Sequence, residues 1–201
     1  MAPDLATALQ TALAASTPAS SDFDLNPGVV LPAGRKLRPA AVLVGVQEGA
    51  RGAEVVLTKR SPHLRHHPGQ IAFPGGRQDR GDSDLVATAL REAREEIGLP
   101  APAVEVLGML PAHETVTGFQ VTPVLAAITR PVAYVPEPGE VAEVFAVPLA
   151  HLTDPGQFRV ERRMWRGTWR NYYIVPWGPY YIWGATARIL RGLAERVDGC
   201  R

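Results

Sequence analysis

The chain has 201 residues, with 21 Lys and Arg against 20 Asp and Glu and a formal net charge of +1. That length supports one well-buried domain and is short for two, and the near-neutral balance argues against bulk nucleic-acid or membrane binding. The single cysteine, Cys200, excludes an intramolecular disulfide and a cysteine-based zinc site, and without a membrane-length apolar run or a leader pattern a cytoplasmic protein is the expectation.

Residues 4–15 place Leu5, Leu9 and Leu13 along one side behind Asp4, a good cap, and read as a short helix. The Ser, Pro, Asp and Gly-rich stretch from Ser16 to Gly34 reads as an extended arm that wraps the domain or reaches a partner chain. The expected division is therefore a helix and arm over 1–34 and one domain over 35–201. Ala40–Val46 and Glu54–Thr58 are β-branched apolar runs with a glycine-containing connection, the pattern of a hairpin. Leu57 to Gly69 then forms a basic loop that holds Lys59, Arg60, Arg65 and the histidines 63, 66 and 67. Simple solvation explains such charges, and so does a cationic rim for a phosphate-bearing substrate, because arginine grips phosphate through two hydrogen bonds. With no acidic or cysteine partner at ligand spacing, the histidines do not read as a zinc site.

Residues 69–99 organise the rest: a short apolar strand, a Phe-Pro-Gly-Gly loop, an acidic helix start and a helix that stops at Gly98, with Pro100 beyond. Asp82, Ser83 and Asp84 are N-cap candidates suited to the positive end of the helix dipole. Leu85, Val86, Ala89, Leu90, Ala93 and Ile97 make the stripe that packs on a core. Glu92 and Glu96 form a like-charge i,i+4 pair beside that stripe, which costs a bare helix about 0.2–0.5 kcal/mol. Arg91 is spaced to neutralise Glu95, but no helix residue does this for Glu92 and Glu96. Two crowded carboxylates next to buried surface call for a cation, and oxygen-only ligands suit Mg²⁺ or Mn²⁺ rather than zinc. A solvated acidic helix face is the competing explanation.

Val104–Leu110 and Val121–Ile128 are strand patterns, joined through a segment containing Phe119, which reads as core filling. Pro136 to Leu149 reads as a turn, a strand and the start of a short helix, with Glu143 as a capping or salt-bridged residue. From Gln157 to Tyr181 aromatics accumulate among arginines, including Trp165, Arg166 and Trp169, as in a twisted hairpin that covers a groove or forms a dimer surface. Interleaved aromatics and arginines also occur in single-strand binders, a reading opposed by the neutral overall charge. Ile182–Val197 is a final amphipathic helix.

The run Arg-Glu-Ala-Arg-Glu-Glu-Ile-Gly-Leu over 91–99, behind the Phe-Pro-Gly-Gly loop, closely resembles the signature of the Nudix hydrolases. The pattern's first glutamate is Asp82 here, and the spacer to Arg91 is one residue longer. Val-Leu-Thr-Lys-Arg-Ser from Val56, then Arg65, Gly69 and the same loop, resembles the extra motif of the coenzyme A pyrophosphatase branch, with Val56 where Leu is usual. The resemblance implies an α/β/α sandwich on a mixed sheet. It also implies hydrolysis of the pyrophosphate of coenzyme A or its derivatives, to 3′,5′-ADP and 4′-phosphopantetheine, in a monomer or homodimer. On this reading Glu92, Glu96 and the Gly75 carbonyl hold Mg²⁺ or Mn²⁺, with Glu95 as a ligand or water-mediated contact. Arg91 orients the loop and the glutamates, and the base is Glu140 or a helix glutamate. Substrate contacts fall to Lys59, Arg60, Ser61, Arg65, Gly69, Phe73 and Arg77. The alternatives are another substrate such as ADP-ribose, or a non-catalytic nucleotide-binding module.

Overall fold

The computed structural model describes residues 3–15, 18–32, 34–50, 52–165 and 167–198, without the side chains of 3–6, 8, 11 and 165. The expected cap Asp4, the contact Leu5, the Trp165 side chain, Arg166 and Cys200 lie outside what is described.

Helix α1 (Pro3–Ala14) is followed by the two-residue strand β1 (Ser20–Ser21). The central strand is β2 (Arg38–Gly49), antiparallel to β3 (Gly52–Arg60) and to β5 (Gly75–Arg77). On its other side β2 runs parallel to β8 (Phe119–Ile128), from Arg38↔Phe119 to Gln47↔Ile128. Next to β3 lie β4 (Ile71–Ala72) and β9 (Val141–Pro148), and next to β8 lie β6 (Val104–Met109) and β7 (His113–Glu114). With β1 parallel to β7, these nine strands make one mixed sheet.

Side-chain alternation along the strands divides the core in two. Val44, Val46, Val55, Leu57 and Leu125 face a layer formed with Leu9 of α1 and with Leu190 and Leu193 of α4 (Gly184–Asp198). Ala41, Leu43, Val56, Val124 and Ala126 face the other way, onto Ala89, Ala93 and Ile97 of α2 (Leu85–Ile97). Because helices cover both faces, the strands at the centre are apolar almost throughout rather than alternating with polar residues. The result is an α/β/α sandwich on a mixed sheet. The first hairpin extends beyond the apolar runs: Gln47↔Glu54 and Glu48↔Ala53 continue the ladder toward solvent, where polar residues pair as well as apolar ones.

The arm is stitched to its own chain by polar contacts. Asp22 Oδ1 lies 3.1 Å from Nε2 of the fully buried His113, and Asp22 Oδ2 accepts from the Val116 N–H at 2.8 Å. Ser20 Oγ sits 2.9 Å from His113 Nδ1. Arg196 of α4, itself buried, donates to the carbonyls of Ala12 and Ala15 at 2.5 and 2.6 Å. A short helix α3 (Leu149–Leu152) leads to the hairpin of β10 (Arg159–Trp165) and β11 (Thr168–Ile174), which stands apart from the main sheet. Phe119 is half-buried against the core, with the Arg38 guanidinium 3.9 Å from its ring centre. Among the described residues no helix is long and apolar enough to cross a membrane.

Candidate active site

Helix α2 carries the acidic residues, and its two ends are fixed by the sequence around them. At the start Asp84 is extended, and its Oδ1 accepts from the Ala87 N–H at 2.8 Å. At the end Gly98 adopts φ 67°, so that its N–H and that of Leu99 reach the carbonyls of Arg94 and Ala93 at 3.0 and 3.2 Å. The last free carbonyls of the helix are taken by a later segment. Glu137 N–H bonds to the Glu96 carbonyl at 2.9 Å and Val135 N–H to that of Ile97 at 3.0 Å. That docking carries Glu140 toward the helix, and the Ser61 N–H holds the Glu140 carbonyl at 2.8 Å.

Strand β5 pairs with β2 and packs against α2, and at Gly75 only glycine fits. A Cβ on Gly75, whose φ is 154°, would stand 2.4 Å from the Ala41 carbonyl oxygen and 2.6 Å from the Val42 Cα. On Gly76 it would stand 2.6 Å from the Glu92 carboxylate. The glycine pair therefore brings backbone against the acids, and the Gly75 N–H donates to Glu96 Oε2 at 3.0 Å.

Glu96 is 4% exposed. Burial pushes its carboxyl up to about 7; the Gly75 N–H opposes the rise, Glu92 repulsion adds to it, Arg60 opposes it and Glu140 adds again. Glu92 is also raised by burial, against the opposing charge of Arg91, with Glu95 and Glu140 adding to the rise. Arg60, Glu92, Glu96 and Glu140 thus share one field. The Arg60 Nε is buried and has no hydrogen-bond partner. Arg91 is the organiser: Nε and Nη2 grip Asp82 at 2.9 and 3.0 Å, while Nη1 lies 2.9 Å from both Glu92 and Glu95. Nη2 also donates to the Arg77 carbonyl at 3.2 Å, which ties helix to loop. The guanidinium holds the Asp82 carboxyl well below the usual carboxylate range, and Asp82 in turn raises Arg91.

The remaining expected residues scatter around this centre. Glu95 points out, half-exposed, with Arg91 as its ion-pair partner. Lys59 is exposed and Arg65 lies on the exposed loop. Ser61 is buried, its Oγ accepting from the His63 N–H at 3.4 Å. Gly69 supplies a turn with φ 70°, and Arg77 pairs with Asp79 at the surface. Phe73 lies inside the larger core layer, which gives its ring a packing role here. Of the three N-cap candidates Asp84 caps the helix, while Asp82, at the acidic position of the signature, instead holds Arg91 and Thr88. Glu143 is held by a tyrosine rather than a cation, its Oε1 accepting from the Tyr180 hydroxyl at 2.5 Å.

A family model described as the NUDIX domain matches residues 36–166. The chain belongs to the Nudix family. An uncharacterized Nudix hydrolase NudL of Citrobacter koseri is 44% identical over 160 residues, which cover 80% of this chain and 83% of that protein. The NudL of Salmonella paratyphi B is 43% identical over 160 residues with the same coverage. Among solved structures, the Nudix hydrolase RenU of M. smegmatis is 29% identical, with a TM-score of 0.49 over 58% of this chain and 73% of that one. The NUDIX domain of Shewanella oneidensis NrtR, complexed with ADP ribose, is 23% identical, with a TM-score of 0.46 over 62% and 81%. Membership makes the chain a Nudix hydrolase of a nucleoside diphosphate derivative, a small-molecule nucleotide substrate. Nudix hydrolases generally use divalent metals such as Mg²⁺ or Mn²⁺. Among the described residues, no three His, Cys, Asp or Glu side chains are drawn close enough to hold an ion as they lie. In this Nudix site the acids are instead engaged with Arg91 and the Gly75 amide.

Proposed function

We propose that this Nudix hydrolase cleaves the pyrophosphate bond of coenzyme A or its derivatives to 3′,5′-ADP and 4′-phosphopantetheine or its acylated form. The observation that carries the reading is the Arg60 Nε, a buried donor without an acceptor, beside an acid cluster that repels itself. A buried N–H left unpaired is costly, and a phosphate oxygen delivered by substrate satisfies it. Arg60 belongs to the 56–69 motif whose spacing resembles the coenzyme A branch.

The donor set suits a hard divalent ion: Glu92, Glu96 and the Gly75 carbonyl are all-oxygen ligands, with Glu95 direct or through water. The raised carboxyl of Glu96 supports this assignment, because a buried acid that resists ionisation gains most from a nearby cation. When bound, Mg²⁺ or Mn²⁺ supplies charge neutralisation at the phosphoryl oxygens and lowers the pKa of attacking water. Arg91 keeps helix and loop in register by holding Asp82, Glu92 and the Arg77 carbonyl together. Glu140, carried on the segment that caps α2, or a helix glutamate accepts the proton of the attacking water. Lys59, Ser61, Arg65, Gly69 and Arg77 complete the substrate contacts.

The test is a substrate panel with Mg²⁺ or Mn²⁺, followed by mass analysis of coenzyme A products formed in isotopically labelled water. Label in one of the two expected products supports the reading and identifies the attacked phosphorus. Faster turnover of ADP-ribose than of coenzyme A overturns the choice of substrate.

A further inference from the structure

A cleft of about 490 Å³ opens where the basic loop meets the C-terminal hairpin, within the range of small-molecule sites. Its walls include Lys59, His67, Arg163, Tyr181 and Trp183, and no Asp or Glu stands among the described residues that line it. Two acids bond to its tyrosines: Glu143, across from Lys59 in the β3–β9 ladder, accepts from the Tyr180 hydroxyl and Glu161 from the Tyr181 hydroxyl, each at 2.5 Å. Arg163 sits across the hairpin from Arg170 in the β10–β11 ladder. The Arg163 guanidinium lies 6.0 Å from the centre of the Trp183 ring, so charge and an aromatic face occur side by side.

Along the chain the cleft is one residue from the acid site, because Lys59 lines it and Arg60 follows. The ladder between β3 and β9 shifts register between Lys59 and Arg60. A bulge of this kind re-aims side chains beside active sites. Here consecutive cations serve two places, Lys59 at the cleft and Arg60 in the field of Glu96. The Arg60 N–H bonds to the carbonyl of Gln70, which itself lines the cleft, at 3.0 Å.

We propose that this cleft binds the phosphorylated nucleoside end of the substrate, with its phosphate monoester on Lys59 and Arg163 and its base against Trp183 or Tyr181. This rests on the coenzyme A reading for the identity of the ligand, but not for the existence of the site. The cleft then distinguishes substrates that carry a phosphate beyond the cleaved diphosphate from those that lack it.

Two measurements test it. The first is titration of adenosine 3′,5′-bisphosphate into the protein by calorimetry in chelator, where no turnover occurs. Binding that weakens tenfold or more in Arg163→Ala and in Lys59→Ala, with far-UV spectra unchanged, is the expected result. The second is the ratio of kcat/KM for coenzyme A to that for its 3′-dephospho form. It falls tenfold or more in Arg163→Ala, a change that general loss of structure does not produce because both substrates suffer it alike. Undiminished bisphosphate binding in both variants overturns the proposal, as does an unaltered substrate ratio. Bisphosphate binding that depends on Arg163, in a protein that does not hydrolyse coenzyme A, upholds the cleft and overturns the coenzyme A reading.

Discussion

Replacing Glu96 with Gln tests the electrostatic core of the site without any substrate. In the unfolded chain this carboxyl titrates at an ordinary 4.5, and in the folded, metal-free protein it is pushed up to about 7. Below the unfolded value both states hold the proton, and Glu96 costs the fold nothing. As pH rises from 4.5 the unfolded chain ionises first, and each pH unit removes about 1.4 kcal/mol from the folded state until the folded carboxyl titrates as well. Above about pH 7 the penalty is complete, at about 3 kcal/mol. Gln retains an oxygen for the Gly75 N–H and carries no charge. In chelator, urea unfolding of Glu96→Gln should therefore match wild type near pH 4.5. Its advantage should then grow to about 3 kcal/mol above neutrality. Added Mg²⁺ should raise wild-type stability above neutrality and leave the variant nearly unmoved. Parallel stability curves for the two proteins across this range would refute the reasoning.

Other perturbations separate the parts of the site and its scaffold. Arg60→Ala removes the unpaired buried donor and should lower kcat/KM for coenzyme A about ten- to hundredfold, read in steady-state kinetics, with little change in melting temperature. In Gly76→Ala the new methyl meets the end of the Glu92 side chain, which can yield. The melting temperature should hardly move, while activity falls at least about tenfold because the carboxylate is displaced. Asp22→Ala leaves the buried His113 Nε2 and the Val116 N–H without their acceptor. It should cost about 2 kcal/mol in denaturant unfolding, with faster proteolysis of the arm.

The parts of the molecule visible in its sequence are those set by short-range rules. Helix α2 follows from its apolar stripe, from Asp84 and from Gly98, and the Arg91–Glu95 pair follows from four-residue spacing. The strands follow from β-branched runs, though their ends do not, because pairs such as Gln47↔Glu54 continue a ladder with no apolar signal. What stayed hidden depends on contacts between distant segments. The bidentate hold of Asp82 on Arg91 reaches from just before α2 across its first turns, a spacing with no simple periodic signal, and the docking of Glu137 on the Glu96 carbonyl is a backbone contact with no residue preference. Phe73 sits in a loop motif, and its burial in the core layer is decided by tertiary packing alone. The anchors of the arm, Asp22 on His113 and Arg196 on Ala12, lie in segments whose composition reads as linker or as ordinary amphipathic helix.

The parallel seam between β2 and β8 joins stretches about eighty residues apart in the chain. Synthesis delivers β2 and the acidic helix long before the strand that closes β2 along its whole length. In that interval a valine-rich ribbon carries a row of open amide and carbonyl groups, the template on which strands of other molecules can add. Fragments that stop short of Phe119 should accordingly collect in the insoluble fraction, although they already contain the whole of the acidic helix and the glycine loop before it.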